Sequence, residues 1–293
     1  MSEAGRLFDD PDSLRWLARL DLLARQVISG ARRGEHRSRR RGAGTVFSDH
    51  RSYSRGDDLR YVDWNVYGRL GALFLKEFEI EESANVLLLL DRSLSMDFGE
   101  PAKLLYAKRI AGALGFIGLC HMDRVEVLPL PAGEPRAFTG RRQVPAFFEH
   151  LLSLEAKGGT DLLSGVRAYL PRLRRRGVAV LLSDLCDPGG FRPALEFLRH
   201  RRHRVFIVQV VAPWELKPEI SGNLRLVDCE DGTRLDVRMT DDLLRAYREA
   251  FRRLCASVAG YALRHGVGHA RLRTDRPVSE AVLSLLRRGG VVR

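Results

Sequence analysis

The sequence predicts an α/β fold with a doubly wound, mainly parallel sheet and an N-terminal extension made of a helix and a strand. Two short apolar runs, residues 86–90 and 177–182, carry no charge and are typical of central strands covered on both faces. Segments with helical periodicity follow them, and strand and helix signals then alternate towards residue 288. This alternation predicts parallel pairing of the strands.

The chain is expected to have two parts. Its 293 residues exceed the common domain size of about 100–150 residues. Residues 1–83 combine an amphipathic helix at 13–29, a basic run at 31–41 and a stretch dense in charges and aromatics. The basic run predicts an exposed loop that is either an anionic contact or a solvated connector. We therefore expect an N-terminal segment, 1–83, packed on a main domain, 84–293.

Charge and cysteine usage limit the class of protein. The net charge is +12, carried mostly by arginine, and such a balance favours acidic partners such as nucleic acid, anionic lipid or an acidic protein face. The aromatic and basic signature of an RNA-binding sheet is missing. The cysteines lie far apart without a C-x-x-C pair, the first 30 residues are charged, and no run reaches the ~18 apolar residues of a membrane helix. These features predict a reduced, cytoplasmic, soluble protein.

Polar side chains follow the first apolar run at the point where the predicted strand ends. Asp91, Ser93 and Ser95 occupy alternate positions of this loop. The carboxyl edge of an open α/β sheet is where ligands usually bind. One carboxylate and two hydroxyls suit Mg²⁺, which takes oxygen ligands and keeps some water. The alternative is that these side chains only cap the following helix.

The second apolar run ends in the same way. Ser183 and Asp184 follow it, and a Gly-Gly-Thr-Asp sequence that ends at Thr160 and Asp161 lies between the two runs. Thr160 or Asp161 could be the N-cap of the next helix. Two parallel strands that each end on a carboxylate favour the metal interpretation over capping, because both strand ends lie at one edge of the sheet.

Residues 42–78 form a mixture of paired charges and aromatics that predicts an ion-pair lattice. Gly56, Asp57 and Asp58 indicate a turn, and Trp64 is expected to pack that turn against the body with its indole N–H satisfied. Residues 73–80 are expected to form a strand alongside the central sheet.

Two motifs resemble those of a bacterial family, the domain of unknown function 58. The motifs are Phe47-x-x-x-Arg51-x-Tyr53-x-x-Gly56-Asp57-Asp58-x-Arg60-x-x-Asp63-Trp64 and Asp91-x-Ser93-x-Ser95-Met96. The resemblance implies a Rossmann-like von Willebrand A domain. It also implies a metal-ion-dependent adhesion site that binds Mg²⁺ or Mn²⁺ through three loops, with the ligands Asp91, Ser93, Ser95, Thr160 and Asp184. Asp97, Asp161 and Asp187 are candidates for supporting these ligands.

The resemblance further implies a non-enzymatic adaptor. An open position on the metal would take a carboxylate from a partner protein, and the partner or its client would involve a MoxR-type AAA+ ATPase in the maturation of other proteins. No small-molecule substrate and no membrane span are expected. A second partner contact is predicted at Arg51, Tyr53, Asp57, Asp58, Arg60, Asp63 and Trp64. The alternative for that stretch is a purely structural ion-pair lattice.

Two other classes are weighed against the adaptor. An arginine-dependent nucleic-acid binder would use the basic excess, and its affinity would fall steeply with salt. A Mg²⁺-dependent phosphohydrolase would need a second carboxylate in the first loop as acid or base, but Ser93 stands there. No P-loop motif occurs, so the chain is not expected to be the ATPase itself.

Overall fold

The computed structural model describes residues 7–8, 15–17, 19–20, 46–79, 85–169 and 177–287. The chain divides into two compact units: Met1–Ala31 with Ala84–Arg293, and Arg32–Ser83. The predicted division at residue 83, with the N-terminal segment packed on the main domain, stays a prediction. The basic run at 31–41 lies outside the described residues.

The smaller unit contains a two-stranded antiparallel sheet. Strand β1 spans Val46–Ser52, helix α1 spans Trp64–Leu70 and strand β2 spans Phe74–Glu79. The expectation that the last of these segments runs alongside the central sheet is wrong. The hydrogen bonds of β2 go to β1, with Arg51 opposite Leu75, so the two form a sheet of their own.

The larger unit alternates strands and helices. Its strands are β3 Asn85–Asp91, β4 Arg124–Leu130, β5 Arg136–Thr139, β6 Val178–Ser183, β7 Arg204–Val211, β8 Gly222–Val227, β9 Arg234–Met239 and β10 Gly268–Arg273. Its helices are α2 Lys103–Cys120, α3 Val144–Ser153, α4 Leu162–Tyr169, α5 Arg192–His200, α6 Pro213–Leu216, α7 Asp241–His265 and α8 Val278–Arg287.

Six of these strands form one mainly parallel sheet in the order β10-β7-β6-β3-β4-β5, with only β5 antiparallel to its neighbour. The chain leaves β3 for β4 on one side and later returns to place β6 on the other side. The carboxyl ends of β3 and β6 therefore flank the point where the winding direction changes, which is where open α/β sheets bind ligands. The predicted mixed α/β class with a mainly parallel sheet is confirmed.

The two apolar runs are buried on both faces, as their lack of charge predicts. Along β3, Leu88 and Leu90 pack in one core layer and Leu87 and Leu89 in the other, because successive side chains of a strand point to opposite faces. The layer that holds Leu88 also contains Leu7, Phe8, Leu17 and Leu20, so described residues near the N-terminus belong to the core of this unit.

The small residues of α2 have different partners. A Cβ on Gly118 would lie 3.0 Å from Val125 Cγ2 of β4, so this glycine lets the helix approach the sheet closely. A Cβ on Gly115 would lie 2.2 Å from Phe147 Cζ, so that glycine accommodates a ring of α3 instead. Among the described residues, none of the helices combines the length and apolarity needed to cross a membrane.

Candidate metal centre

Asp91 is the last residue of β3 and is almost fully buried, with 1% of its surface exposed. Its Oδ1 accepts a hydrogen bond from the Ser93 backbone N–H at 3.0 Å. Its Oδ2 accepts one from Ser183 Oγ at 2.5 Å. The side chain therefore ties its own loop to the end of the neighbouring strand, β6.

The two predicted serines connect the first loop to Asp184. The hydroxyl oxygens of Ser93 and Ser95 are 3.0 Å apart, and Ser95 Oγ donates to Asp184 Oδ2 at 3.2 Å. Since a hydroxyl has one hydrogen to donate, Ser95 cannot donate to Ser93 while it donates to Asp184. Ser93 stands at the N-cap position of the short 3₁₀ turn Leu94–Asp97, but its side chain makes no capping bond. The capping alternative for Ser93 is therefore wrong.

A buried lysine pairs with Asp184. Lys103 Nζ at the start of α2 lies 2.6 Å from Asp184 Oδ2 and 2.5 Å from Glu215 Oε1. The other Asp184 oxygen accepts the Cys186 N–H at 3.0 Å, and Glu215 Oε2 accepts the Ala212 N–H at 2.7 Å. Both carboxylates are thus held in fixed positions around one ammonium group.

The charges of this network do not balance. Asp91, Asp184 and Glu215 supply three carboxylates, whereas Lys103 supplies one ammonium group. Burial, and next the charge of Asp184, raise the pKa of Asp91 to about 6, although the bonds from Ser183 and Ser93 oppose this. Burial also disfavours the charged form of Lys103, but the nearby carboxylates outweigh it and raise the pKa of this lysine.

Thr160 lies in the second loop, which is joined to the first by the backbone. Leu94 N–H donates to Gly158 O at 2.9 Å, and Lys157 N–H donates to Arg92 O at 2.7 Å. Thr160 itself binds Glu230. Its hydroxyl donates to Glu230 Oε1 at 2.6 Å, and its backbone N–H donates to Glu230 Oε2 at 2.9 Å.

The side chains of two other residues accept the backbone N–H groups at the start of α4, so Thr160 does not cap this helix through its side chain. Asp161 Oδ1 accepts the Ser164 N–H at 2.9 Å. Asp187 Oδ2 accepts the Leu162 N–H at 3.0 Å, which connects the loop after β6 to the second loop. Asp161 and Asp187 thus accept backbone N–H groups in the first turn of α4, while Asp97 is exposed.

Of the five predicted ligands, Asp91, Ser93, Ser95 and Asp184 thus form one hydrogen-bonded network together with Ser183. Thr160 is in an adjoining loop, and its hydroxyl and backbone N–H both donate to Glu230. Across the described ranges, no group of three or more His, Cys, Asp or Glu side chains is placed to hold a metal ion. The ligand set itself stays a prediction.

Sequence reasoning missed Lys103, Ser183, Glu215 and Glu230 as members of this region. Ser183 had a signal, because it forms a polar pair with Asp184 at the strand end. Lys103 had a weaker one, because it is one of only five lysines and opens a mostly apolar helix whose other charged residues are Lys108 and Arg109. Glu215 and Glu230 lie far along the chain, and no local pattern marks them.

The motif of the smaller unit forms ion pairs over short sequence distances. Arg51 Nη2 lies 2.7 Å from Asp57 Oδ2, and Arg60 Nη2 lies 2.7 Å from Asp58 Oδ2. These contacts agree with the predicted lattice. Gly56 takes a φ of +103°, which favours glycine, as the predicted turn requires.

Asp63 has the most contacts of this motif. Its Oδ2 lies 3.0 Å from His50 Nε2 and 3.4 Å from Lys76 Nζ, and its Oδ1 caps α1 by accepting the Asn65 N–H at 3.0 Å. The hydrogen bond with His50 is the main cause that lowers the pKa of Asp63 to about 2, against a smaller opposing effect of burial.

The expectation for Trp64 is wrong. Its side chain is 60% exposed and its ring contacts Tyr67 edge-on, with the centroids 6.1 Å apart. Trp64 is the first residue of α1, so Asp63 caps the helix while the indole ring stays exposed. Tyr53 is partly buried, and its N–H donates to Leu73 O at 2.9 Å. The side chains of Phe47 and Asp49 lie outside the described residues, and partner binding by this motif stays a prediction.

A family model described as "Protein of unknown function DUF58" matches residues 35–257. The chain belongs to this family. Uncharacterized proteins of Mycobacterium bovis and Mycobacterium tuberculosis, which match this DUF58 chain over 280 residues, are 28% identical to it, and the match covers 92% of the chain and 87% of each relative. An uncharacterized protein of Mycobacterium avium is 33% identical over 120 residues, or 40% of the chain and 68% of that protein.

Two solved structures are similar to part of this DUF58 chain. The conserved hypothetical protein BatB of Bacteroides thetaiotaomicron has a TM-score of 0.43 at 16% identity, covering 70% of the chain and 97% of that protein. An aerotolerance-related membrane protein of Bacteroides fragilis has a TM-score of 0.42 at 17% identity, covering 70% of the chain and all of that protein.

Proposed function

We propose that this DUF58 chain is a non-enzymatic binding module whose loops at the carboxyl edge of the sheet hold Mg²⁺ or Mn²⁺ and, through the ion, an acidic side chain of a partner protein. The observation that carries the proposal is the hydrogen-bonded network of Asp91, Ser93, Ser95 and Asp184 at the point where the winding direction changes. A cluster of residues that is buried, polar and unbalanced in charge is a candidate functional site on physical grounds.

The oxygen atoms present fit a small divalent cation. The hydroxyl hydrogens of Ser93, Ser95 and Thr160 are each donated to another oxygen. A hydroxyl oxygen has two lone pairs, and in the described contacts each of these three oxygens accepts at most one hydrogen bond, so each keeps a lone pair for a metal ion. Mg²⁺ and Mn²⁺ favour such oxygen ligands. The two negative charges in excess over Lys103 equal the charge of one such ion.

The chain's own residues give each loop a separate task in this proposal. Asp91 holds the first loop against β6, so the serine hydroxyls are fixed before any ligand arrives. Lys103 pairs with Asp184, which leaves Asp184 to orient Ser95 through a hydrogen bond. When bound, the ion would supply a positive centre with an open position for a carboxylate.

The same arrangement favours binding over turnover. A phosphohydrolase of the kind weighed above needs a second acid or base in the first loop, and Ser93 occupies that position with its hydroxyl engaged by Ser95. A hydroxyl is a poor proton shuttle at neutral pH. We therefore propose an adaptor rather than an enzyme.

The fold name and the partner belong to this proposal as well. The strand order and the three-loop site are compatible with a von Willebrand A-like domain, and membership of the DUF58 family supports the expectation that the partner, or a client bridged to it, involves a MoxR-type AAA+ ATPase. In that role the chain would assist the maturation of other proteins in the cytoplasm.

Metal titration of the full chain tests the proposal. We expect one Mn²⁺ per chain by isothermal titration calorimetry, with Mg²⁺ competing. Asp91→Asn and Ser93→Ala should each weaken binding by about tenfold or more, the range seen when support around a metal is removed. Asp97→Asn is the matched control, because Asp97 is exposed in the same loop.

Two results would contradict the metal site. One is a chain that binds no Mn²⁺ at millimolar concentration, which would mean that Lys103 alone neutralises Asp184. The other is binding that Asp91→Asn and Asp97→Asn change equally, which would place the ion elsewhere.

A further inference from the structure

The hairpin β8–β9 carries an acidic residue to the second loop of the candidate site. Among the described strands, β8 and β9 pair only with each other. The tip of the hairpin, residues 228–233, is shaped by Asp228, which accepts the Glu230 N–H at 2.7 Å, and by Gly232 with a φ of +75°. This tip places Glu230 next to Thr160, 70 positions earlier in the chain.

Thr160 binds both oxygens of the Glu230 carboxylate. Its hydroxyl donates to Oε1 at 2.6 Å and its backbone N–H to Oε2 at 2.9 Å. Hydrogen bonds to an ionised acceptor are stronger than neutral ones, and two in parallel fix the orientation of the carboxylate. A Cβ at Gly159 would lie 3.2 Å from Glu230 Oε2, so the glycine leaves room for this contact.

The contact adjoins the buried network. The loop that carries Thr160 is hydrogen-bonded to the first loop, because the Leu94 N–H donates to Gly158 O at 2.9 Å. Burial, and next the carboxylates of Asp228 and Glu230, raise the pKa of the thiol of Cys229, the residue before Glu230. The hairpin tip is therefore bonded to a loop that is itself hydrogen-bonded to the first loop of the candidate site.

The hairpin itself has little apolar support. Leu226, Val227 and Leu235 are 40%, 58% and 59% exposed. A two-stranded hairpin is marginally stable in water unless it packs on other elements. The Glu230 contact is thus one that a competing ligand can replace without unfolding the core.

We propose that Glu230 is an internal ligand that occupies the carboxylate position at Thr160, so that an acidic side chain of a partner protein must displace the β8–β9 hairpin to bind. The identity of the partner as an acidic protein rests on the proposed function, but the contact between Glu230 and Thr160 does not require a metal. The hairpin then keeps the site closed until a stronger carboxylate ligand arrives.

Hydrogen exchange of the full chain in EDTA tests the closed state. We expect Glu230→Ala to speed exchange of the amides in both the tip, residues 228–233, and the loop at 157–161 by about tenfold, the factor expected for loss of a hydrogen-bonded charge. Glu219→Ala is the matched control, because Glu219 is exposed and forms an ion pair with the equally exposed Lys217. Equal exchange at 157–161 in the wild-type chain and Glu230→Ala would overturn the proposal.

Binding in trans tests the ligand role. A labelled synthetic peptide of residues 224–236 should bind the Glu230→Ala chain at least about tenfold more tightly than the wild-type chain in Mg²⁺ buffer, measured by fluorescence anisotropy under reducing conditions. The same peptide with Glu230→Ala should lose this preference. Equal binding of the peptide to both chains would overturn the ligand role.

Repeating the anisotropy measurement in EDTA separates this inference from the proposed function. If the peptide prefers the Glu230→Ala chain in EDTA as well as in Mg²⁺, the internal ligand is supported whatever the outcome of the Mn²⁺ titration. Loss of the preference in EDTA would overturn the metal-independent contact between Glu230 and Thr160 and leave the metal-dependent function standing.

Discussion

The two charged regions of the molecule differ in how far apart along the chain their partners lie. In the larger unit, Ser183 and Asp91 are 92 positions apart, and Lys103 and Glu215 are 112 apart. In the smaller unit, Arg60 and Asp58 are 2 apart, and His50 and Asp63 are 13 apart. The first set depends on the complete sheet, whereas the second forms within one short segment of the chain.

The two regions also differ in how much each charge contributes to stability. In the buried network water cannot replace a lost partner, so removal of one charge leaves the other unpaired in a medium of low dielectric constant. At the surface, water and salt screen the pair, and the net gain is small. Similar residue types in the two motifs therefore have unequal effects on stability.

Lys103→Met is expected to have the largest effect. It leaves Asp184 and Glu215 buried without their cation, which should lower the free energy of unfolding by about 3–5 kcal/mol. Guanidinium unfolding measured by circular dichroism gives the value, with Lys217→Met as the exposed control. A loss below about 1 kcal/mol would mean that the buried triad behaves like a surface pair.

The acid response of the two regions should have opposite signs. The folded chain holds the proton of Asp91 more tightly than the unfolded chain, so the stability that this residue contributes is lost as the pH rises from 3.8 to about 6. The pKa of Asp63 is lowered, so its contribution is present above 3.8 and is lost as the pH falls towards about 2.

Urea unfolding in EDTA at a series of pH values measures both windows. Asp91→Asn should flatten only the upper window and Asp63→Asn only the lower one. The interpretation fails if Asp91→Asn leaves the slope between pH 3.8 and about 6 unchanged.

The sequence was sufficient for the sheet and for part of the site. Uncharged runs predict buried strands because a charge there would lack water, and both runs became neighbouring strands whose ends carry Asp91 and Asp184. Strand direction then brings the serines near Asp184. This part is predictable because it follows from local pattern and from the geometry of parallel strands.

The rest depends on contacts that no local pattern encodes. Glu215 pairs with a lysine 112 positions away, and Glu230 contacts a threonine 70 positions away. Trp64 shows the reverse case: aromatic character predicted packing, but its position at the start of α1 leaves the ring exposed. Burial of a single side chain is set by tertiary context rather than by residue type.

The smallest expected effects come from one substitution made in each unit, Gly→Ala within a helix. At Gly165 in α4, a Cβ would lie 2.6 Å from Leu130 Cδ2 and 2.7 Å from Pro131 O, so the loop after β4 must shift. We expect Gly165→Ala to lower the free energy of unfolding by about 1–3 kcal/mol through overpacking.

At Gly68 in exposed α1, a Cβ would meet no atom within 4 Å, and the gain in helix propensity should stabilise the smaller unit by about 0.5–1 kcal/mol. Guanidinium unfolding of both variants compares them directly. Changes of opposite sign in the free energy of unfolding would mean that tight packing decides the effect in α4, next to the site, whereas helix propensity decides it in exposed α1. Equal signs would mean that the loop after β4 can adapt, and then the positions of the site loops would not be fixed by packing.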